Sequence, residues 1–120
     1  MTIYQRMQAV FEAARVKGYL QTRETTAADA RLPDTYCDYV VMSDGSALDA
    51  DDGELVHRSD VYVDLHGKRD TSETLELLLQ ALEAAGFAYT PVRHLDGMRG
   101  SKYKYHKRIV ATHFAYGKEE

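Results

Sequence analysis

The sequence predicts an α+β fold in which two helices pack on a mainly antiparallel four-stranded sheet that includes a long β-hairpin. Two segments carry apolar residues at helical spacing, and four segments have the alternation or the β-branched and aromatic content of strands. Their order is helix, strand, strand, helix, strand, strand, which suits a two-layer architecture. At 120 residues the chain is long enough for one core, so we expect a single domain over residues 1–120.

The first helix is predicted from an N-terminal cap and an apolar stripe. Thr2 is a suitable N-cap, and Gly18 is a suitable C-terminal stop. The polar segment Gln21–Asp34, which contains Pro33, has neither helical nor strand periodicity, and its length predicts an interaction loop. The stripe consists of Ile3, Met7, Val10, Phe11 and Ala14.

The hairpin is predicted from two strand-like runs on either side of a polar segment. Tyr36–Met42 is aromatic and β-branched, and Val61, Val63 and Leu65 alternate with polar or aromatic neighbours. The segment SDGSALDADDG, residues 43–53, is predicted to be a long polar connection between them.

The second helix is predicted to begin at Asp70, which can cap it, with Glu73 at the capping-box position. Gly86 ends the pattern. The apolar stripe consists of Leu75, Leu78, Leu79, Leu82 and Ala85, widened by Leu77 and Ala81.

Two further strands are predicted after this helix, over Ala88–Leu95 and Tyr103–Tyr116. Asp96-Gly97 is a turn signal between them. Pro91 cannot donate a ladder hydrogen bond, so it places the first of these strands at an edge or at a bulge.

Composition is that of an ordinary globular chain, with 44% hydrophobic and 28% charged residues. The sequence has no apolar run of membrane-spanning length, and its first 15 residues lack the apolar core of a signal peptide, so we expect a cytoplasmic protein with no membrane partner. The single cysteine, Cys37, excludes an internal disulfide and is expected to be a buried thiol.

Catalysis has weak support in the sequence. Ser43, Asp44, His57 and His66 could supply a nucleophile, a base and an orienting group, but no motif such as G-x-S-x-G accompanies them. The histidines lack the helical spacing of a zinc protease and are more simply explained as surface or edge residues. We therefore expect a protein that is not an enzyme and that has no cofactor.

The acidic run LDADDGEL, residues 48–55, invites comparison with a calcium-binding loop. With Gly53 at the sixth position, ligand positions 1, 3, 5 and 12 fall on Leu48, Ala50, Asp52 and Ser59. Of these four, only Asp52 has the carboxylate that a calcium ligand at its position needs. A solvated acidic turn is the better interpretation, and no metal is expected. A looser carboxylate cluster would draw on Asp44, Asp49, Asp51, Asp52 and Glu54.

The net charge of −4 argues against a dedicated nucleic-acid binder, but the charge is uneven. The segment SKYKYHKR, residues 101–108, interleaves tyrosines with cations, as in proteins that stack bases and neutralise phosphates. The same alternation is also typical of a half-exposed strand. Nucleic-acid binding through residues 99–108 is kept as the alternative function.

The pattern of elements resembles the small tail-completion proteins of long-tailed bacteriophages and prophages, the tail-terminator and head-tail joining group. The resemblance covers nearly the whole chain and depends on the order of elements. It departs from the group at His66 and Gly67, where an aromatic and a small polar residue are common. The matching features are Met1–Lys17, Pro33, Tyr36–Met42, Ala50-Asp51, Val61–His66, Lys68–Asp70, Leu75–Gly86 and Tyr89–Phe114.

The resemblance implies a structural protein of the virion that assembles in the host cytoplasm. It implies a homo-oligomeric ring, about sixfold, at the head-proximal end of the tail, with the tail-tube protein and the head connector as further partners. Residues 21–34 and 43–53 are expected to contact neighbours, and opposite charges are expected to steer subunits together. The charged interface residues are expected to be Asp49, Asp51, Asp52, Arg99, Lys102, Lys104, Lys107 and Arg108.

Overall fold

A six-stranded sheet with two helices on one face makes up the described chain, residues 1–21, 32–50, 53–97 and 102–116 of a computed structural model. For residues 47–50 and 53–55 only the backbone is described. The elements are α1 (Ile3–Ala14), β1 (Lys17–Leu20), β2 (Thr35–Ala50), β3 (Gly53–Gly67), α2 (Ser72–Ala84), β4 (Phe87–Tyr89), β5 (Arg93–His94) and β6 (Tyr105–Tyr116).

The strand order is β1-β2-β3-β6-β4, and β5 pairs with the same edge of β6. Strand β1 runs parallel to β2, whereas the other pairs are antiparallel. The α+β class and the mainly antiparallel sheet are confirmed. The predicted number of four strands is wrong, because β1 was not foreseen and the strand around Pro91 is two short edge strands.

Helix α1 begins as the sequence predicts and ends earlier. The Thr2 hydroxyl accepts from the Gln5 amide and the Gln5 side chain accepts from the Thr2 amide, which completes a capping box. Arg15 takes a left-handed conformation with φ of 61°, and the Val16 amide donates to the Phe11 carbonyl, so the helix stops at Ala14. The predicted stop at Gly18 is therefore wrong.

Gly18 lies in β1, where it allows the strand to pack closely against α1. A Cβ built on this residue would lie 2.0 Å from the Phe11 ring, so only glycine allows the strand to approach α1 this closely. Its position opposite Cys37 extends the sheet beyond β2. Four residues with a glycine give almost no strand signal, which explains why β1 was missed.

The hairpin of β2 and β3 is longer than predicted, because the polar segment continues the ladder. Backbone pairing reaches Ala50 opposite Gly53, with register shifts after Val41 and around Leu48. The expected long connection is thus wrong. Cross-strand bonds between polar side chains replace the hydrophobic alternation that the sequence lacks here, as in the 2.7 Å bond from the Ser43 hydroxyl to Asp60.

Helix α2 begins at Ser72, two residues after the predicted start. Thr71 is the N-cap residue and makes no side-chain cap hydrogen bond, so the predicted cap at Asp70 is wrong by one residue. Asp70 instead accepts from the amide and the hydroxyl of Ser72 just before the helix. Leu78, Ala81 and Leu82 are buried, but Leu77 is exposed and does not widen the apolar stripe.

The core lies between the two helices and one face of β2, β3 and β6. Cys37 is buried there, as predicted, and burial raises the pKa of its thiol. The fully buried centre is formed by Met7, Val10, Phe11, Cys37, Val61, Val63, Leu65, Leu78, Leu82 and Ile109.

Candidate functional site

The second face of the sheet, which no described helix covers, carries the functional candidates, and we call it the helix-free face. Because side chains alternate along strands, the registers of β2, β3 and β6 place them in cross-strand rows. From the base of the hairpin toward its tip, the rows are Tyr36 with His66 and His106, Asp38 with Asp64 and Arg108, Val40 with Tyr62 and Val110, Ser43 with Asp60 and Thr112, and Gly45 with Arg58 and Phe114.

The first row is a stack of rings. The His66 ring lies 4.9 Å from that of Tyr36 and 4.5 Å from that of His106, with angles of 23° and 24° between the ring planes. Tyr103 covers the stack edge-on to Tyr36, and its hydroxyl donates to the Pro33 carbonyl at 2.8 Å. The two imidazoles are therefore held side by side and mostly shielded from solvent.

The second row supplies carboxylates beneath these imidazoles. One oxygen of Asp64, Oδ1, accepts from Arg108 Nε at 2.8 Å and lies 3.2 Å from His106 Nε2. Burial opposes ionisation of Asp64, but the hydrogen bonds from His106 and Arg108 and their charges outweigh it, and the pKa of Asp64 is lowered. Asp64 is thus an anion held between an imidazole and a guanidinium.

The neighbouring pair, His66 and Asp38, is less complete. His66 Nε2 lies 3.3 Å from Asp38 Oδ2, a distance that fits an ion pair. However, the two atoms do not have the geometry of a hydrogen bond, and His66 Nε2 is buried without a hydrogen-bond partner in the described chain. The other carboxylate oxygen, Asp38 Oδ1, is likewise buried without one. Such atoms are uncommon in folded proteins, so they mark this cluster as unusual. We name Asp38, Asp64, His66 and His106 the imidazole cluster.

From its third row toward the tip of the hairpin, the helix-free face carries exposed aromatic side chains on both sides of the polar row of Ser43, Asp60 and Thr112. Tyr62, Phe114 and Tyr116 lie on it with exposed fractions of 37%, 39% and 66%. The Arg58 guanidinium lies 5.6 Å from the centre of the Phe114 ring and is fixed by Asp60 at 3.0 Å. We name Tyr62, Phe114 and Tyr116 the distal patch. Large aromatic side chains of this kind are enriched at protein interfaces.

The sequence candidates for catalysis fall on two different faces. Ser43 and His66 belong to the helix-free face, whereas Asp44 and His57 face the helix side. His57 Nε2 and the Ser59 hydroxyl both hydrogen-bond to Asp44 Oδ1, at 2.7 and 2.6 Å. In a nucleophile-base pair the imidazole lies between the hydroxyl and the carboxylate, and this arrangement differs because the carboxylate is in the middle.

Several histidines are more buried than the predicted surface or edge positions. His113 is buried beside Phe87, with 5.1 Å between ring centres, and His66 and His106 are partly buried in the imidazole cluster. Among the described histidines, His94 on the edge strand β5 is an exposed one, as expected.

The acidic interface residues lie at or beyond the limit of the described structure. The backbone of Asp49 pairs with Glu54 in the hairpin, while Asp51 and Asp52 lie outside the described residues. The prediction that these three side chains contact a neighbour stays a prediction.

The basic interface residues divide into two kinds. Lys102 and Lys104 are exposed, and Arg99 lies outside the described residues. Lys107 is buried and forms an ion pair with Asp96, while Arg108 is hydrogen-bonded to Asp64. Two of the predicted cations are therefore neutralised within the chain.

The expected alternation in the tyrosine-lysine segment is also different, because β6 begins only at Tyr105. Tyr103 packs against Tyr36 and bonds to the Pro33 carbonyl, so its ring is engaged inside the chain. His106 lies on the helix-free face and Lys107 on the helix side. The nucleic-acid alternative stays a prediction that would depend mainly on Lys102 and Lys104.

No protein-family model matches the chain, and neither does any characterised protein. None of the helices in the described ranges has the length and apolarity needed to cross a membrane. Function is therefore inferred from the helix-free face and from the hairpin that extends it.

Proposed function

We propose that the protein is a structural subunit of a long-tailed bacteriophage or prophage tail, a tail-terminator or head-tail joining protein. Copies of the chain would form a ring that caps the head-proximal end of the tail tube and meets the head connector. The observation that carries the proposal is the distal patch, three exposed aromatic side chains on β3 and β6 with no described helix over them.

The proposal has a physical basis in the unfavourable exposure of this patch. Burying the rings of Tyr62, Phe114 and Tyr116 against another subunit removes apolar surface from water, at about 25 cal/mol per Å² of that surface. Each ring contributes much of its burial to the free energy of association, because an aromatic side chain loses little conformational entropy on binding. A contact between copies of the chain would thus supply the burial that the described monomer lacks.

The shape of the subunit suits a ring. The chain measures 52 × 30 × 22 Å, so the long hairpin can reach a neighbouring subunit. When one surface meets a different surface on the next copy, a rotation that closes produces a ring. The described cations that can steer such an encounter are fewer than expected, because Lys107 and Arg108 are paired internally. Apolar contact is therefore the main expected source of affinity.

Two variants with equal exposure test this proposal. Phe114 is 39% exposed in the distal patch, and Leu77 is 38% exposed on α2. A carboxylate buried in an interface opposes association, and the nearby Arg58 is already paired with Asp60. Phe114→Glu is therefore expected to weaken self-association at least tenfold, about 1.4 kcal/mol or more. Leu77→Glu is expected to leave it unchanged. Light scattering after size-exclusion chromatography measures the particle mass over a range of concentrations.

Circular dichroism serves as the control for folding in both variants. If Phe114→Glu keeps the wild-type particle mass while remaining folded, the distal patch is not the contact between subunits. Equal loss of assembly in Leu77→Glu would also contradict the proposal, because it would show a general effect of added charge.

A further inference from the structure

The imidazole cluster brings together ligands that the sequence separates widely. Asp38 comes from β2, Asp64 and His66 from β3, and His106 from β6. We propose that this cluster binds a divalent transition-metal ion such as Zn²⁺, with His66, His106 and Asp64 as ligands and Asp38 as a fourth. The site would be independent of the distal patch and of the proposed role in a tail.

Distances support this assignment. One ligand atom each from Asp64, His66 and His106 lies within 4.8 Å of the others. In the tetrahedral geometry of zinc sites, two ligand atoms that are each about 2.0–2.1 Å from the ion are roughly 3.4 Å apart. Rotations of the stacked rings that close the separation of the ligand atoms by about 1.4 Å at most therefore bring the three atoms to bonding distance.

The incomplete hydrogen bonding of the cluster points to a ligand at the same place. His66 Nε2 and Asp38 Oδ1 are buried, and in the described chain neither has a hydrogen-bond partner. Both carry lone pairs that a metal ion can accept, Nε2 in the neutral imidazole and Oδ1 in the carboxylate. Coordination of one ion would satisfy His66 Nε2, and the Asp38 carboxylate, whose other oxygen Oδ2 lies 3.3 Å from that nitrogen, would lie beside the ion.

The chemistry of the donors selects the class of ion. Two imidazole nitrogens with carboxylate oxygens suit Zn²⁺, Ni²⁺ or Cu²⁺, whereas Mg²⁺ and Ca²⁺ prefer oxygen ligands alone. Asp38 and Asp64 bring two negative charges to a partly buried place, and Arg108 offsets one of them. The hydrogen bond from Arg108 to Asp64 would also orient that carboxylate toward the ion.

Such a site would join the three central strands at the base of the hairpin. His66 on β3 lies directly opposite His106 on β6, and Asp38 on β2 lies directly opposite Asp64 on β3. Binding that occurs only in the folded state stabilises that state by mass action. Zinc is therefore expected to raise the melting temperature of the protein.

The test uses the full chain after removal of metals with a chelator. Isothermal titration with Zn²⁺ is expected to show one ion bound per chain, with no binding of Mg²⁺ under the same conditions. His66→Ala and His106→Ala are each expected to weaken Zn²⁺ binding at least tenfold and to abolish the rise in melting temperature. His94→Ala, which removes an exposed histidine outside the cluster, is the matched control and is expected to bind as the wild type does.

Two results would overturn the site. One is a folded wild-type chain that binds no Zn²⁺ at any concentration at which it stays soluble. The other is a loss of affinity in His94→Ala as large as that in His66→Ala, which would show adventitious binding by surface histidines. Because an alanine variant can fail to fold, Asp38→Asn provides a second variant that keeps the side-chain shape. It is expected to fold and to bind Zn²⁺ more weakly than the wild type.

Discussion

Replacing Phe11 with alanine is expected to lower the free energy of unfolding by about 3–5 kcal/mol. The side chain is almost fully buried between α1 and the sheet, with its ring centre 5.5 Å from that of Tyr39. Its removal deletes apolar contacts and leaves a cavity that the surrounding strands cannot fill completely. Urea denaturation measures the loss. Leu77→Ala, at an exposed leucine, is the control and is expected to change stability by less than about 0.5 kcal/mol.

Gly18 offers a sharper test of the same contact. A Cβ at this position would lie 2.0 Å from the Phe11 ring, so Gly18→Ala is expected to cost about 1–3 kcal/mol in the wild-type background. In the Phe11→Ala background the ring is absent, and the cost should largely disappear. An equal cost in both backgrounds would mean that β1 does not approach α1 as described. Gly45→Ala is the control, because a Cβ there meets no described atom within 4 Å.

Replacing Asp96 with alanine is expected to give the second large loss, about 1–3 kcal/mol. One oxygen of Asp96 accepts from the His106 amide at 2.8 Å, and the other pairs with the buried ammonium of Lys107. The Asp96 side chain is 38% exposed, so solvent screening reduces the effect below that of a wholly buried pair. The Lys107 hydrogen bond is the largest cause of the lowered pKa of Asp96.

The stability losses of variants at Asp96 and at Lys107, the two partners of this ion pair, are compared to test this prediction. Asp96→Ala leaves a lysine buried without its counter-ion, whereas Lys107→Met keeps the apolar stem and leaves a carboxylate that solvent can reach. Thermal unfolding is therefore expected to show a larger loss for Asp96→Ala than for Lys107→Met. The reverse order would contradict the burial of Lys107 on the helix side of β6.

The helices were predictable because their signals are local. Thr2 and Gln5 form a cap three residues apart, and Met7, Val10 and Ala14 repeat at the helical period over one continuous segment. The end of α1 was missed because Arg15 takes a left-handed conformation without being a glycine. Conformations of this kind depend on the surrounding structure more than on the residue itself.

The sheet was predictable only in part because its polar strands have no hydrophobic alternation. In the extended hairpin, Ser43 bonds to Asp60 and Asp44 to Ser59, so side-chain bonds across the ladder support the pairing. Those partners are about 15 residues or more apart, and the sequence alone does not state the register that joins them. The sequence of this polar segment therefore predicts a loop.

The imidazole cluster was missed for the same reason. Alternation alone places Asp64 and His66 on one face of β3, and His106 and Arg108 on one face of β6. What the sequence does not reveal is that β3 and β6 pair in the register that puts His66 opposite His106. Taken separately along the sequence, the histidines are typical of ordinary surface residues. The basic segment likewise predicts that all its cations are free to contact a partner, although Lys107 and Arg108 are paired within the chain.

Native mass spectrometry of the wild-type chain tests the proposed assembly most directly. A closed ring is expected to give one dominant species of fixed subunit number, about six, that stays the same as the concentration rises. An open polymer would instead grow with concentration. A chain that remains monomeric over the whole range of concentrations would contradict the proposal that the protein functions as a ring.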